Sequence, residues 1–342
     1  MTTGLESVRR TVIEVASDVV NVPDLGRQLS LEVGRVVPHD GYMLAGVDPV
    51  SSAGCLFTAE FGYSREFNRH LDQVDPLGAE PHPFAKLLGG PRQVGVLSVG
   101  QSEYLHSIRL RGLVAEGFGS EMRIALTLGG VPVGGLVLLR ERGSRPFSAD
   151  EAARAEALAG PIATALKRFV ANKSLRPSRH NLPPGVLLIG PDDAVRSVTP
   201  SAWEWLRLLV PEPAKADAEE LIGVIWNITF MARRTRGPAL SRIPASDGWI
   251  ALHAQPLDGT EAGGVAVTLQ PATAAVLLPA VSVWCGLTPR ERSVVEQVLL
   301  GLPTKHIARR LGLSPHTVND HLKAIYRKTG VTGREGLIVG LR

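Results

Sequence analysis

The spacing of apolar positions changes several times along the chain, and each change marks an element. Over residues 5–20, Leu5, Val8, Val12, Val15 and Val19 recur at alternating steps of three and four, with Glu6, Arg9, Arg10, Glu14 and Asp18 between them. That spacing predicts an amphipathic helix whose seam either packs on the chain's own core or joins a second copy. From Gly41 the runs shorten. Tyr42–Val47 and Cys55–Phe61 are apolar and bounded by Pro, Ser and Gly, as strands are. Short helices are expected at Ser64–Gln73 and Pro81–Leu88. Two β-rich arms around Gly129–Gly130 predict a hairpin within Met122–Arg140. Ser148 with Glu151 three residues on opens a long helix as a capping box. Leu158, Ile162, Leu166 and Phe169 mark its apolar face, and Pro161 is expected to kink or interrupt it.

A basic, Pro-punctuated linker at 171–184 separates this half from a second α+β pattern. There Val186–Ile189 and Val195–Val198 predict strands, and Thr199-Pro200-Ser201 starts a helix with Trp203, Leu206 and Leu209. A further helix is expected over about residues 216–233, then strands at Trp249–Ala254 and Gly264–Leu269. Arg233, Arg234 and Arg236 read as a solvated helix end, and 271–285 as an apolar connector.

The last 57 residues carry the sharpest punctuation. Thr288 is an N-cap, Pro289 sits at N1 and Glu291 at N3 closes a capping box; the helix stops at Gly301. A second helix covers Thr304–Leu311 and stops at Gly312. Ser314 caps a third with Pro315 at N1, and Gly330 ends it. Thr332 and Glu335 suggest a capping box for a fourth. Two helices joined by a three-residue turn containing Gly form a helix-turn-helix, whose second helix enters the DNA major groove. On that helix Val318, Leu322 and Ile325 share one face and must point inward. Asp320, Lys323, Ala324 and Arg327 lie opposite, flanked by Thr317 and Asn319.

Charge supports a polyanion partner for this end alone. Residues 286–342 hold ten Lys/Arg against four acids, a net +6, while the other 285 residues hold 27 against 29, a net −2.

The segment closely resembles the LuxR-type helix-turn-helix family. The matching residues are Leu287-Thr288-Pro289-Arg290-Glu291, Lys305, Ile307-Ala308, Leu311, Ser314, Thr317-Val318, His321, Ile325, Lys328 and Arg334. Many members have Lys directly after the Thr-Val pair; here Asn319 and acidic Asp320 follow, so the base preference of such members does not carry over. The element order of residues 1–172 resembles a GAF domain, an antiparallel sheet with the terminal helices on one face. The order over 181–270 resembles a degenerate PAS domain. The fold class expected is therefore multidomain α+β: a GAF-like sheet with flanking helices, a PAS-like α+β domain and an all-α four-helix helix-turn-helix at 286–342.

Several chemistries are disfavoured. Two cysteines, Cys55 and Cys285, exclude a disulfide scaffold and suit a reducing compartment. No signal core or 18-residue apolar run occurs, so a cytoplasmic protein without a membrane partner is expected. No P-loop, H-E-x-x-H, G-x-S-x-G or phospho-acceptor receiver pattern is found, so no enzyme is expected. The cyclic-nucleotide signature of some GAF domains is missing. His39, His70, His82 and His106 read as surface or satisfied side chains, and Cys55 as a plain thiol, rather than as a metal or redox site.

The resemblances together imply a transcriptional regulator that binds double-stranded DNA as a homodimer. It has no resident cofactor, a small-molecule effector or protein partner is sensed at its front, and RNA polymerase is a further contact. The alternatives are front domains that only bind proteins, or an enzyme tethered to DNA. Lys305, Ser314, Thr317, Asn319, Asp320, His321, Lys323 and Arg327 are the expected DNA-contacting residues. Asn319, Asp320 and Lys323 would face bases, and Thr317, His321 and Arg327 the backbone.

Overall fold

The computed structural model describes residues 2–17, 19–74, 80–101, 104, 106–173, 175, 182–210, 218–245, 248–258 and 263–341. The chain divides into two compact units, one of residues 1–47 and 52–166, the other of 48–51 and 167–342.

The first unit runs α1 (Thr2–Val15), α2 (Val22–Gly34), β1 (Gly41–Val47), β2 (Gly54–Glu60), α3 (Arg65–Val74), α4 (Phe84–Gly89), β3 (Val94–Ser98), α5 (Ile108–Ala115), β4 (Phe118–Leu128), β5 (Val131–Glu141) and α6 (Ala149–Ala171). Its five strands form one antiparallel sheet in the order β2-β1-β5-β4-β3. The hairpin predicted at Gly129–Gly130 forms because both glycines take the left-handed backbone its tight turn requires, at φ 57° and 83°. Helices cover both faces. A Cβ on Gly26 of α2 would meet Tyr42 and Thr58, and Leu166 of α6 lies against Gly134. On the opposite face Phe84 of α4 lies over Gly135. The expected sheet with terminal helices on one face is therefore present.

In this unit the structure bears out one of the two readings of α1, adds a helix and corrects one expectation. The seam of α1 points into its own chain, where Val8 and Val12 are 2% and 0% exposed and α1 packs on α2. An Asp at Val12 would thus unfold the unit rather than part a dimer. The helix α2 was not foreseen, although Asn21 caps it by accepting from the Asp24 amide at 2.8 Å. Pro161 does not interrupt α6. The Ala157 carbonyl loses its partner, but Leu158, Ile162, Ala163, Leu166 and Phe169 bury along one face. That burial exceeds the ~3 kcal/mol cost of an interior proline.

The capping box that opens α6 does more than start a helix. Ser148 donates to Glu151 by its amide (2.8 Å) and hydroxyl (2.9 Å), and Arg140 Nη2 and Arg145 Nη2 reach Glu151 Oε1 at 2.8 and 3.0 Å. Burial pushes this carboxyl up, but the bonds from Arg140 and Ser148 outweigh it and hold it down at about 2. Its ordinary value is 4.5, so the stability it adds is complete above that pH and lost as pH falls from 4.5 toward about 2. Replacing Glu151 with Gln is expected to lower the melting temperature at neutral pH and to flatten the acid limb of the stability profile. An acid limb identical to wild type would refute this role.

The second unit begins with β6 (Gly185–Ile189), β7 (Val195–Val198), α7 (Pro200–Arg207), α8 (Ala218–Gly223), α9 (Trp226–Thr235), β8 (Ala239–Ala245), β9 (Gly248–Pro256) and β10 (Val265–Pro271). Its antiparallel sheet has the order β7-β6-β10-β9-β8. Counted from each sheet's own first strand, both have the order 2-1-5-4-3. In each, the last strand closes beside the first at the centre, where both neighbours supply backbone partners. The helix expected over 216–233 is two helices, broken at Val224–Ile225. Arg233 is no solvated helix end: it pairs with Asp193 and donates to the carbonyls of Gly190 and Gly263. Residues 271–285 are no connector either. They hold α10 (Ala274–Trp284), with Leu277, Leu278, Val281 and Trp284 buried. The remainder is α11 (Pro289–Leu299), α12 (Thr304–Leu311), α13 (Pro315–Thr329) and α14 (Arg334–Leu341). Among the described residues no helix is long and apolar enough to cross a membrane.

Candidate nucleic-acid interface

Helix boundaries fix the frame of the C-terminal module. Thr288 Oγ1 accepts from the Glu291 amide at 3.2 Å, and Glu291 accepts from the Thr288 amide at 2.7 Å. The same carboxylate takes Lys328 Nζ from α13 at 2.6 Å. Burial raises the Glu291 pKa, but Lys328 and Thr288 pull it down, so the net shift is downward. Gly312 ends α12 in the left-handed region at φ 63°, and the Leu313 amide returns to the Ala308 carbonyl at 2.8 Å. The chain then turns at once into α13, where Ser314 Oγ accepts from the Thr317 amide at 3.0 Å. Arg334 Nη2 donates to the Leu302 carbonyl at 2.5 Å, tying the start of α14 to the α11–α12 turn. Beyond this, α10 packs on α11 and α14.

Against this frame α13 presents two unlike faces. Val318, Leu322 and Ile325 are 0%, 6% and 0% exposed, and the helix packs on α11 and α12. The inward face is therefore the one expected. Lys305, Ser314, Asn319, Asp320, Lys323 and Arg327 are exposed, and Thr317 and His321 are half-buried. Ser314 and Thr317 are already committed to the cap, with their hydroxyls 2.9 Å apart.

The structure gathers the polar residues unevenly. Thr304, His316, Asn319, Asp320, Lys323 and Tyr326 line one open concave surface, while Lys305, Ser314 and Arg327 lie outside it. Within it Asp320 is flanked by two basic side chains: His316 Nδ1 is 3.1 Å from Oδ2, and Lys323 Nζ is 3.7 Å from Oδ1. Sequence reasoning missed Thr304, His316 and Tyr326. The signal was there in the four-residue step from His316 to Asp320 and the seven-residue step from Asn319 to Tyr326.

The fourth helix starts one residue later than Thr332 and Glu335 suggested. The Leu337 amide bonds the Gly333 carbonyl at 3.0 Å, so Gly333 is the cap and Glu335 falls at N2. Elsewhere, Cys55 is buried, and burial pushes the Cys285 thiol up to about 12. No group of three His, Cys, Asp or Glu able to hold a metal occurs among the described residues.

Residues 286–340 match the family described as bacterial regulatory proteins, luxR family. An HTH-type transcriptional regulator of Mycobacterium bovis is 49% identical over 55 residues, 16% of this chain and 6% of that protein. The nitrate/nitrite response regulator protein NarL of Escherichia coli is 44% identical over 48 residues, 14% of this chain and 22% of that one. The chain thus spans only a small part of the curated relatives it matches. Among solved structures, Escherichia coli SdiA is similar over 98% of this chain and 95% of its own, at 14% identity and a TM-score of 0.37. A phycoerythrobilin-bound GAF domain from a cyanobacterial phytochrome is similar over 49% and 97%, at 15% identity and a TM-score of 0.35. The frame built by Thr288, Glu291, Lys328 and Gly312 and the match over 286–340 lead to one assignment: the C-terminal module of this chain is a luxR-family helix-turn-helix domain.

Proposed function

We propose that this chain is a DNA-binding transcriptional regulator in which residues 286–342 dock on duplex DNA through α13. The observation that carries the reading is the division of α13 into a fully packed apolar face and an exposed polar one. In a helix-turn-helix that polar face is the one free to enter the major groove. Lys305 and Arg327, exposed and outside the lining of the concave surface, serve as phosphate contacts, and His321 and Thr317 are assigned to the backbone. Asn319, Asp320 and Lys323 are placed for base edges.

In this reading the regulator acts as a homodimer, because one helix-turn-helix reads too few base pairs and paired half-sites mirror a twofold axis. Residues 1–172 form the GAF-like sensory domain and 181–270 the PAS-like one, and RNA polymerase is a further partner. A small effector would sit on the face of the first sheet under α3, α4 and α5. There a buried apolar cluster with Met43, Leu97, Leu113 and Leu139 surrounds the ion pairs of Glu121 with Arg109 and Arg123, at 3.1 and 3.0 Å. Tyr63 donates to Glu121 at 2.6 Å. Perturbed, buried charges in an apolar setting are where ligand sites concentrate.

The decisive experiment is salt titration of binding by the full chain. With roughly 3–5 phosphates contacted per half-site, a dimer is expected to give a log–log salt slope of about 5–9 in magnitude. A slope near zero, or binding that survives deletion of 286–342, would overturn the proposal.

A further inference from the structure

We propose that His316 is a specificity-positioning residue: with Lys323 it holds the Asp320 carboxylate in one orientation, as a preset acceptor for the amino group of a cytosine in the major groove. The inference rests on reading α13 as the helix that enters DNA, and adds to it the residue that orients the acid. Asp320 is the anomaly of this surface. A carboxylate brought toward phosphates is repelled unless nearby positive or donor groups offset it. Here both of its oxygens are engaged, and by different side chains. His316, one helical turn before it, brings Nδ1 to 3.1 Å from Oδ2; Lys323, three residues after it, brings Nζ to 3.7 Å from Oδ1. These steps of four and three place all three side chains along one face of α13. His316 follows Pro315 at the N-terminal end of the helix, the end that penetrates the groove, and its side chain is 88% exposed.

The chemistry follows from the donor and acceptor count. A carboxylate has about four lone-pair sites, and the two flanking ion-pair contacts, at 3.1 and 3.7 Å, leave sites open for a base amino group. Without His316 only the longer contact to Lys323 remains, and the carboxylate rotates toward it. The acceptor then lies out of register with cytosine N4, and Lys323 is drawn away from the base or phosphate it would meet. His316 therefore acts through Asp320 and does not itself read the base.

The test is a randomised-site binding selection on the full chain, comparing wild type with His316→Ala, His316→Gln, Asp320→Ala and the Ala/Ala double variant. His316→Ala is expected to reduce discrimination, by about two- to fivefold, at the same base position that Asp320→Ala affects. The double variant should be no worse there than Asp320→Ala alone, since two residues acting as a unit are not additive. His316→Gln, whose amide can donate to Oδ2, should retain most of the preference. Thermal melting should be unchanged throughout, because His316 is exposed. Wild-type preference in His316→Ala overturns the proposal. So does a uniform loss over all sequences with a shallower salt slope, which would make His316 a phosphate contact. A wild-type chain that binds without any base preference would instead fail the underlying reading of α13.

Discussion

Replacing Glu291 with Ala is expected to unfold the C-terminal module far below the melting temperature of the rest of the chain. One carboxylate performs two tasks there. It closes the capping box with Thr288 at the start of α11, and it binds Lys328 of α13 at 2.6 Å. Removing it leaves the Thr288 amide without its side-chain partner and Lys328, whose side chain is 26% exposed, without its counter-charge. Loss of a cap costs about 1 kcal/mol, and stranding one member of a partly buried pair adds a similar or larger amount, so ~2–4 kcal/mol is expected. A module of this size has only roughly 3–5 kcal/mol to lose. Glu291→Gln should be milder, because the amide still accepts from Thr288 but no longer attracts the ammonium. Amide hydrogen exchange resolves the outcome by segment. Protection should collapse in 286–341 and persist in the first sheet. Wild-type protection across α11 and α13 in Glu291→Ala would show that the frame is held by its apolar packing alone.

Legibility in the sequence followed how local the determining interactions are. The helices of the C-terminal module were readable nearly to the residue because caps, proline at N1 and C-terminal glycines act within one turn; Thr288, Ser314 and Gly312 all behave as their residue types dictate. The hairpin at Gly129–Gly130 was readable for the same reason. The edge strands β3 and β8 were not. Gly95 lies within the first and Pro244 within the second, and both are strands because β4 and β9 supply backbone partners that no local pattern announces. Pro161 was misleading in the same way, since burial of the surrounding apolar residues outweighs a local penalty. At the candidate interface, exposure of Asn319, Asp320 and Lys323 followed from helical periodicity. Their grouping with Thr304 of α12 did not, because it depends on how two helices cross.

Changing Asp320 to Ala is expected to relax base preference at one position by about 1–3 kcal/mol, while leaving non-specific affinity unchanged or raising it. The two parts have different causes. Discrimination falls because the only anionic acceptor among the base-facing candidates is removed, and a cytosine amino group has no substitute partner in alanine. Non-specific affinity holds or rises because Lys323, 3.7 Å from the carboxylate, is released to meet phosphate, and one repulsive charge leaves the surface. The salt slope should then steepen by up to about one unit. Lys305→Ala and Arg327→Ala provide the contrast: each should weaken every sequence alike and make the slope shallower, since both are exposed and neither lies in the concave surface around Asp320. A competing role for Asp320 is to orient Lys323 alone, as an ordinary i,i+3 pair on a solvated helix. That role predicts a change in preference only through Lys323, so adding Asp320→Ala to Lys323→Ala would change nothing further. If the double variant loses preference beyond Lys323→Ala alone in the same randomised-site selection, Asp320 reads a base directly. If Asp320→Ala returns the wild-type motif, it reads none.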